Sequence, residues 1–575
     1  MTSRSESEPR SGGAPDDESP VAGAAAGRSR APWWRRAWLT YMLPGSWVAL
    51  VFACLSFTPS LLPRAPLFQG VVTGISAAIG YGLGVLGAWV WREFADRDPR
   101  PAEPRAWRVF AAVAAVALVV SAALGFWWQA QLRDLMGMPP QGPSFVLLPI
   151  TAAAIFVLVV AAGRGLRAVY RRLALLLDRW FGTRAARATG LIVVVVGTWL
   201  VVSGVLLDGL LAAADRAFSL RNGQTPEGVT RPTSELRSGS AASLVPWDTL
   251  GRQGRSFTAG GPSAEDIAAF TGAEAPEPIR VFAGTESADD AEERARLAVR
   301  DLDRAGGFDR SHLLVATTTG SGWLVPSAVD SFEYITGGDS AIVAIQYSHL
   351  PSWLSYLVDQ ERAREAGREL FDAVYERWSE LPAGARPRLL AFGESLGSFG
   401  GETAFSGEFD MANRTDGVLF VGPPSFNLHF REFADDRRAG SPQVEPVYRD
   451  GRTVRFTNRP GEAIQPTSEA WRGTRVLYLV HPSDPIVWWD PDLLLSRPDW
   501  LAEPAGSDVL DAMVWIPFVT FWQVTADLPV GLGVPPGHGH EYGGEHVDGW
   551  AAVLRPAGWT EQRSAELREI VATEE

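Results

Sequence analysis

Five apolar segments follow one another in the first 214 residues, and they constrain the fold more than any other feature of the chain. They run from about Leu39 to Pro59, Phe68 to Trp91, Val109 to Trp128, Phe145 to Ala162 and Leu191 to Ala213. Most of them reach the ~20 residues that a helix needs to cross a hydrocarbon layer of ~30 Å. Because they are consecutive and almost free of charge, they predict membrane-spanning helices rather than buried helices of a soluble protein.

Arginine residues are distributed unevenly around the ends of these segments. Eighteen lie in the N-terminal tail and in the loops after the second and fourth segments, whereas only Arg64 and Arg133 lie in the other two short loops. Because positive charge is retained on the cytoplasmic side, the N-terminus is predicted to be cytoplasmic. Five crossings then predict a multi-pass protein of the cell membrane whose C-terminal part is extracytoplasmic.

The second segment carries the glycines Gly80, Gly82, Gly84 and Gly87. Small residues four apart on a membrane helix let a neighbouring helix approach closely, so we expect helix packing here. Self-association of the chain through these helices is compatible with the sequence, and membrane lipids are the expected surroundings.

Composition divides the chain into four parts. Residues 1–37 are rich in Ser, Gly, Pro, Ala and charge, which predicts a disordered tail. Residues 38–214 form the predicted transmembrane domain of five helices, and residues 215–277 have the polar composition of a linker or a lid. Residues 278–575 form a further domain. The net charge of −14 argues against a nucleic-acid partner, because binding to phosphates needs a basic face.

From residue 278 onward, short β-like runs alternate with helical ones. The runs are PIRVFAG, HLLVATTTGSGW, AIVAIQYS, PRLLAFGES, DGVLFVGPP and TRVLYLVHPSDP. Strands that alternate with helices of this length predict an α/β domain with a mostly parallel sheet.

The stretch from Gly393 to Gly397 fits the pattern G-x-S-x-G around Ser395. The pattern alone is weak, but an apolar strand leads into it and a helix of small residues leads out of it. Such a strand–turn–helix bend lifts a serine hydroxyl above a sheet. Ser395 is therefore the predicted nucleophile.

A serine hydroxyl needs a base, and the base needs an acid to orient it. In this type of fold the acid and then the histidine follow the serine along the chain. Asp484, directly after a predicted strand, is the predicted acid. His540 in GHGHEYGGEHVDGW is the predicted base, and His538 is the alternative base.

Two further features of this site can be predicted. The Gly-rich turn at Thr319 and Gly320 is expected to supply one N–H of an oxyanion hole, and Leu396 the other. His538, His540 and His546, with Glu541 and Glu545, could instead hold zinc. Such a metal would leave Ser395 and Asp484 without a role, so we predict no metal and no cofactor.

A long insertion rich in aromatic residues separates Asp484 from His540. It contains Trp488, Trp489, Trp500, Trp515, Phe518, Phe521 and Trp522. Core packing, a cap over the site and a surface that dips into the lipid interface all fit this composition.

The chain resembles a family of actinobacterial membrane-anchored α/β-hydrolases, which have an apolar N-terminal region and a C-terminal hydrolase domain. The stretches that carry the resemblance are SFTPSLLPR, FQGVVTGISAAIGYGLG, LPSWLSYLVD, FGESLGSFGGE, HPSDPIVWW, FWQVTADLPV and GHGHEY, and they cover most of residues 52–550. The resemblance implies Ser395 as nucleophile, Asp484 as acid and His540 as base. It does not imply a substrate, because one fold serves many reactions.

Three functions are compatible with these observations. The first is a serine hydrolase acting on ester bonds, either of lipids or of acylated cell-envelope molecules. The second is an acyltransferase that uses the same three residues to acylate envelope glycans. The third is a non-enzymatic membrane module on a hydrolase scaffold. The complete set of Ser, Asp and His argues against the third function, and an apolar insertion beside a bilayer favours a lipid-like substrate.

Overall fold

Long apolar helices form the N-terminal part of the structure. The computed structural model describes residues 41–98, 101–142, 146–351, 354–355, 358–459 and 470–574, and the predicted disordered tail, residues 1–37, lies outside the described residues. The helical domain consists of α1 (Leu43–Leu55), α2 (Pro66–Phe94), α3 (Pro104–Leu135), α4 (Leu147–Leu177), α5 (Thr183–Leu200), a π-helical stretch (Val201–Leu207) and α6 (Asp208–Asn222). Within the described residues, four helices, α2 to α5, are long and apolar enough to cross a membrane.

The first apolar segment forms a shorter helix than the other four. α1 has 13 residues, and at ~1.5 Å per residue it rises only ~20 Å. The helix ends where the Ser56 and Thr58 hydroxyls bond to the carbonyls of Ala53 and Leu55, 2.7 and 2.8 Å away, and Pro59 cannot extend the helical hydrogen bonds. Among the described residues, four helices are therefore long and apolar enough to span a membrane, against the five predicted.

Glycines on α2 provide the contact surface for α1. A Cβ atom on Gly80 would lie 2.8 Å from the carbonyl oxygen of Val48, and one on Gly84 would lie 2.9 Å from the Cα of Gly45. The same construction at Gly82 meets no atom within 4 Å among the described residues. Of the glycines predicted to pack against a neighbouring helix, Gly80 and Gly84 therefore do so, on the face of α2 that contacts α1.

The C-terminal part, here called the sheet domain, contains a parallel sheet. Its seven strands within the described residues are β1 (Ile279–Ala283), β2 (His312–Thr317), β3 (Ser340–Ile345), β4 (Arg388–Glu394), β5 (Gly417–Val421), β6 (Val454–Thr457) and β7 (Arg475–Leu479). Their order is β1-β3-β2-β4-β5-β7-β6, and every neighbouring pair is parallel. The predicted fold class is confirmed, and β6 at the edge is an additional strand that was not predicted.

Helices surround this sheet and connect its strands. They are α7 (Gly251–Ala259), α8 (Ala264–Thr271), α9 (Ala291–Arg304), α10 (Pro326–Ile335), α11 (Gln360–Ser379), α12 (Leu396–Glu402), α13 (Glu408–Arg414), α14 (Leu428–Asp435), α15 (Pro485–Trp488), α16 (Val519–Asp527), α17 (Glu545–Leu554) and α18 (Glu561–Glu574). The strand order reverses between β2 and β4, because the chain continues from β2 to one side and from β4 to the other. Ligands of such sheets bind at the carboxyl ends of the strands beside this reversal.

The segment predicted to be a linker or a lid, residues 215–277, packs along the β1 edge of the sheet. Arg237 forms a β-bridge with Arg280 of β1. The Ser238 hydroxyl donates to Asp301 of α9 over 2.6 Å. Near the start of the same segment, the Asn222 side chain at the end of α6 accepts a hydrogen bond of 3.1 Å from Gln346, the residue after β3. The end of α6 is therefore bonded directly to the end of β3.

The hydrophobic core of the sheet domain continues into the helical domain. Leu61 and Leu62, in the loop between α1 and α2, and Leu132 and Met136, at the end of α3, belong to the same buried cluster as the strands. The aromatic insertion takes part in this junction, because its helix α16 packs against α2. Each of its seven aromatic side chains is buried or half-buried, and Trp488 and Trp500 belong to the buried core cluster.

Candidate active site

Ser395 occupies a sharp turn between β4 and α12, as the sequence predicts. Its backbone has φ 54° and ψ −126°, a region that residues other than glycine rarely adopt. The turn is tight: a Cβ on Gly393 would lie 2.3 Å from the carbonyl of Gly397, and one on Gly397 would lie 2.3 Å from the carbonyl oxygen of Thr317. The two glycines of the motif are therefore required by the close approach of the backbone.

Asp484 and His540 form a buried hydrogen-bonded pair, although 56 residues separate them in the chain. His540 Nδ1 lies 2.7 Å from Asp484 Oδ2, and the side chains are 8% and 0% exposed. Tyr542 donates to the same Asp484 oxygen over 2.9 Å, and the Ile486 amide donates to the other over 2.8 Å. With its Nδ1–H directed at the carboxylate, His540 keeps Nε2 as the basic nitrogen.

The ends of β4, β5 and β7 bring these residues to one place. The Ser395 amide donates to the Val421 carbonyl over 2.9 Å, and the Gly422 amide donates to the Leu479 carbonyl over 3.0 Å. Gly422 has φ +51°, and a Cβ there would lie 2.5 Å from Cε1 of the His540 ring. Gly422 therefore contacts the imidazole directly after the residue to which the serine turn is bonded.

The Ser395 side chain is 6% exposed, and its hydroxyl makes no hydrogen bond to His540 or to another described residue. Hydrogen bonds between a catalytic serine and its base are often long without substrate. Burial by itself would lower the pKa of His540, but the adjacent Asp484 carboxylate outweighs this effect, so the pKa of His540 is raised. The imidazole is thus poised to accept a proton.

The alternative base, His538, lies in a different environment. Its Nδ1 is 3.4 Å from Asp508 Oδ2, and its side chain is 23% exposed. Asp508 also accepts a hydrogen bond from Ser483. The structure therefore gives His538 an acid partner of its own and brings Asp484 to His540.

Two further buried histidines line this region; sequence reasoning considered His546 only as a possible zinc ligand and did not single out His481. His546 Nε2 lies 2.7 Å from Oε2 of Glu394, the residue before Ser395. His481 Nε2 lies 2.7 Å from Glu545 Oε2, and its Nδ1 lies 2.9 Å from the Gly539 carbonyl. Burial opposes the charge on His481, but the Glu545 carboxylate outweighs it and raises the pKa to about 9. His481 is therefore an imidazolium that donates from both nitrogens.

The three histidines considered as zinc ligands in the sequence each have a separate carboxylate partner. His538, His540 and His546 each bond to a different carboxylate, those of Asp508, Asp484 and Glu394. In the part of the chain that the structure describes, no three His, Cys, Asp or Glu side chains are grouped as metal ligands.

The predicted oxyanion donors differ in their availability. The Thr319 amide donates to the Trp323 carbonyl over 3.1 Å, so it is occupied within its own turn. Neither the Gly320 amide nor the Leu396 amide donates to any described residue. Because the Thr319 amide already has an acceptor, the amides of Gly320 and Leu396 remain as the candidate oxyanion donors.

A serine at a strand–turn–helix bend, followed in the chain by an acid and a histidine at the carboxyl ends of a parallel sheet, defines the α/β-hydrolase class. A model described as "Alpha/beta-hydrolase family" matches residues 279–567, and a model described as "Alpha/beta-hydrolase family N-terminus" matches residues 57–262. The chain belongs to this α/β-hydrolase family. No curated protein and no solved structure is significantly similar to it.

Proposed function

We propose that this α/β-hydrolase is a membrane-anchored serine esterase with Ser395 as nucleophile, Asp484 as acid and His540 as base. The observation that carries the proposal is the 2.7 Å bond between His540 Nδ1 and Asp484 Oδ2. Both side chains are buried, and the His540 ring packs against Gly422, which directly follows Val421, the residue whose carbonyl accepts the hydrogen bond from the Ser395 amide. A buried carboxylate that orients a histidine beside such a turn is the arrangement that activates a serine.

The proposed reaction proceeds in two halves. His540 Nε2 accepts the proton of the Ser395 hydroxyl as its oxygen attacks the carbonyl carbon of an ester. The resulting oxyanion accepts hydrogen bonds from the Leu396 and Gly320 amides. His540 then gives the proton to the departing alcohol, and a water molecule, deprotonated by His540 in turn, releases the acid and restores Ser395.

The position of the site beside the helical domain supports a lipid or an acylated cell-envelope molecule as substrate. Leu62, in the loop between α1 and α2, contacts Gly539, the residue before His540: a Cβ on Gly539 would lie 3.3 Å from Leu62 Cδ2. The proposed base is therefore one residue away from a loop between two apolar helices. Many apolar side chains of α3, α4 and α5 are exposed, which suits a lipid environment.

The contacts of this loop also support an extracytoplasmic sheet domain in a multi-pass protein. The loop between α1 and α2 contains only one arginine, Arg64, and it packs against α16 of the sheet domain. The arginine-rich ends of α2 and α4 lie one helix length away from this side. Because arginine is retained in the cytoplasm, the sheet domain is proposed to lie outside, and this argument does not depend on whether α1 crosses.

Labelling with a fluorophosphonate probe, which modifies activated serines, tests this proposal. The full chain in detergent is compared with Ser395→Ala, His540→Ala and, as the matched control, His538→Ala. We expect label on the wild type and on His538→Ala, and none on the other two variants. Absence of label from folded wild-type protein would contradict the proposal and favour a non-enzymatic module.

Product analysis then separates hydrolysis from acyl transfer. Labelled lipid ester in bilayers is incubated with the protein, with and without a sugar acceptor. Release of free fatty acid in both cases supports the esterase, whereas acylated sugar would identify an acyltransferase that uses the same residues.

A further inference from the structure

The loop between α1 and α2, residues 56–65, is buried although it is not helical. Ser56, Ser60, Leu61 and Leu62 are fully buried, and Arg64 is 1% exposed. A buried irregular segment must find partners for its backbone polar groups outside its own secondary structure. Gln69 and Gln129 of the helical domain bond to the Ser56 carbonyl and the Arg64 amide, and further partners come from α16, a helix almost 470 residues further along the chain.

Two polar side chains of α16 hold the loop. Asp527 accepts hydrogen bonds from the Ser60 hydroxyl and, over 3.2 Å, from the Leu61 amide. Gln523 donates to the Thr58 carbonyl over 2.8 Å. Arg64 Nε lies 3.7 Å from the second Asp527 oxygen, and both side chains are 0% exposed. A fully buried arrangement of this kind is costly to leave half-formed, so it fixes one docking geometry.

A short stretch, residues 528–540, connects α16 to His540, and the loop of residues 56–65 also lies beside the end of this stretch. The His540 amide donates to the carbonyl of Gly531, four residues after Asp527, over 2.9 Å. Leu62 lies against Gly539, whose φ is +55°. The loop therefore supports both the start of this stretch, through Asp527, and its end, through Leu62.

The sheet domain binds the backbone of Gly539 through two hydrogen bonds. Its amide donates to the Ser483 hydroxyl over 2.8 Å, and its carbonyl accepts from His481 over 2.9 Å. Ser483 is the residue directly before Asp484. On the remaining side, a Cβ on Gly539 would meet Val534 Cγ2 at 2.7 Å, the Gly531 carbonyl oxygen at 2.8 Å and Leu62 Cδ2 of the helical domain at 3.3 Å.

We propose that the loop formed by residues 56–65 is a positioning element for His540, so that the acid–base geometry of the site depends on the helical domain. This inference rests on the proposed roles of Ser395 and His540. In this proposal the loop acts through Asp527 and Gly539, at the two ends of the stretch that leads to His540.

The test uses the full chain in detergent and compares Leu62→Ala with Leu302→Ala. Leu302 is as fully buried as Leu62, but it lies on α9, so its replacement controls for lost core packing. The rate of fluorophosphonate labelling is measured below the unfolding temperature of both variants. We expect Leu62→Ala to label about 10²-fold more slowly than wild type, since a displacement of ~1 Å costs this much, and Leu302→Ala to label at the wild-type rate.

Two milder variants keep the test valid if Leu62→Ala does not fold. Leu62→Val shortens the side chain that faces Gly539 and should slow labelling by about tenfold. The volume-conserving Leu62→Met should keep most of the wild-type labelling rate. If the wild type is labelled, equal labelling rates for the Leu62 and Leu302 variants would overturn the inference.

Hydrogen–deuterium exchange of the peptide covering residues 531–540 separates this inference from the proposed function. Faster exchange in Leu62→Ala and unchanged exchange in Leu302→Ala support the positioning loop even if no variant reacts with the probe, and in that case only the catalytic proposal fails. Unchanged exchange in both variants would overturn the positioning role, whatever the labelling shows.

Discussion

Replacement of Gly422 by alanine perturbs the His540 ring directly. The added Cβ would lie 2.5 Å from Cε1 and 2.9 Å from Nδ1 of the imidazole, whereas carbon atoms in contact are normally ~3.5–4.0 Å apart. The ring must therefore move by about 1 Å, and Nδ1 is the atom that bonds to Asp484. Alanine at φ +51° adds a backbone cost of roughly 1–2 kcal/mol.

These two effects have different sizes and can be measured separately. A displacement of ~1 Å in a catalytic group costs about 10²-fold in rate, so fluorophosphonate labelling of Gly422→Ala should fall by this factor. Thermal unfolding reports the stability cost. The matched control is Gly337→Ala, which carries a similar backbone strain at φ +65° but meets no atom within 4 Å, and it should label like the wild type.

The result that would refute this reasoning is a folded Gly422→Ala protein that labels within about threefold of the wild type. The base would then not be the imidazole that packs against Gly422. Equal losses in Gly422→Ala and Gly337→Ala would also refute it, because global destabilisation would explain both.

Three further predictions concern pH and stability. The labelling rate should rise with pH through a limb above 6.5, because His540 must be neutral and its pKa is raised; Asp484→Asn should move this limb to lower pH, and a limb that stays in place contradicts the assignment. Gly84→Val should reduce the free energy of unfolding in detergent by roughly 1–3 kcal/mol, while Gly82→Val, which meets no neighbour, should have almost no effect; equal effects would argue against the α1 contact. Arg280→Leu should cost about 3–5 kcal/mol, because it strands the two buried carboxylates that the guanidinium pairs with, and an unchanged unfolding temperature would contradict this.

The parts of the fold that local pattern determines could be predicted from the sequence. Six strands are apolar runs bounded by turn residues, and Ser395 could be placed because strand, turn and helix all lie within a dozen residues. The strand β6 escaped prediction because Val454–Thr457 alternates apolar and polar residues over only four positions. The short length of α1 was not predicted, because a hydropathy pattern does not show that Ser56 and Pro59 end the helix.

The pairing of the histidines could not be predicted, because it depends on contacts between distant parts of the chain. His538 and His540 are two residues apart in a loop, yet one faces Asp508 and the other Asp484. His481 precedes Asp484 by three residues, and only the fold shows that it donates to Gly539. The contact of Leu62 with Gly539 had no local signal, although the stretch SFTPSLLPR was among those that carried the family resemblance.

The contact between Ser60 and Asp527 joins positions 467 residues apart, which bears on how the protein is made. At ~5–20 residues per second, a ribosome needs on the order of a minute to synthesise that interval. During this time the Leu61 amide lacks its acceptor, and Leu61 and Leu62 lack the part of the core that the sheet domain supplies. Contacts of such long range also close slowly, because the entropy of the intervening chain must be lost first. Assembly of the two domains is therefore expected to be the last step of folding, after the final tenth of the chain has been synthesised.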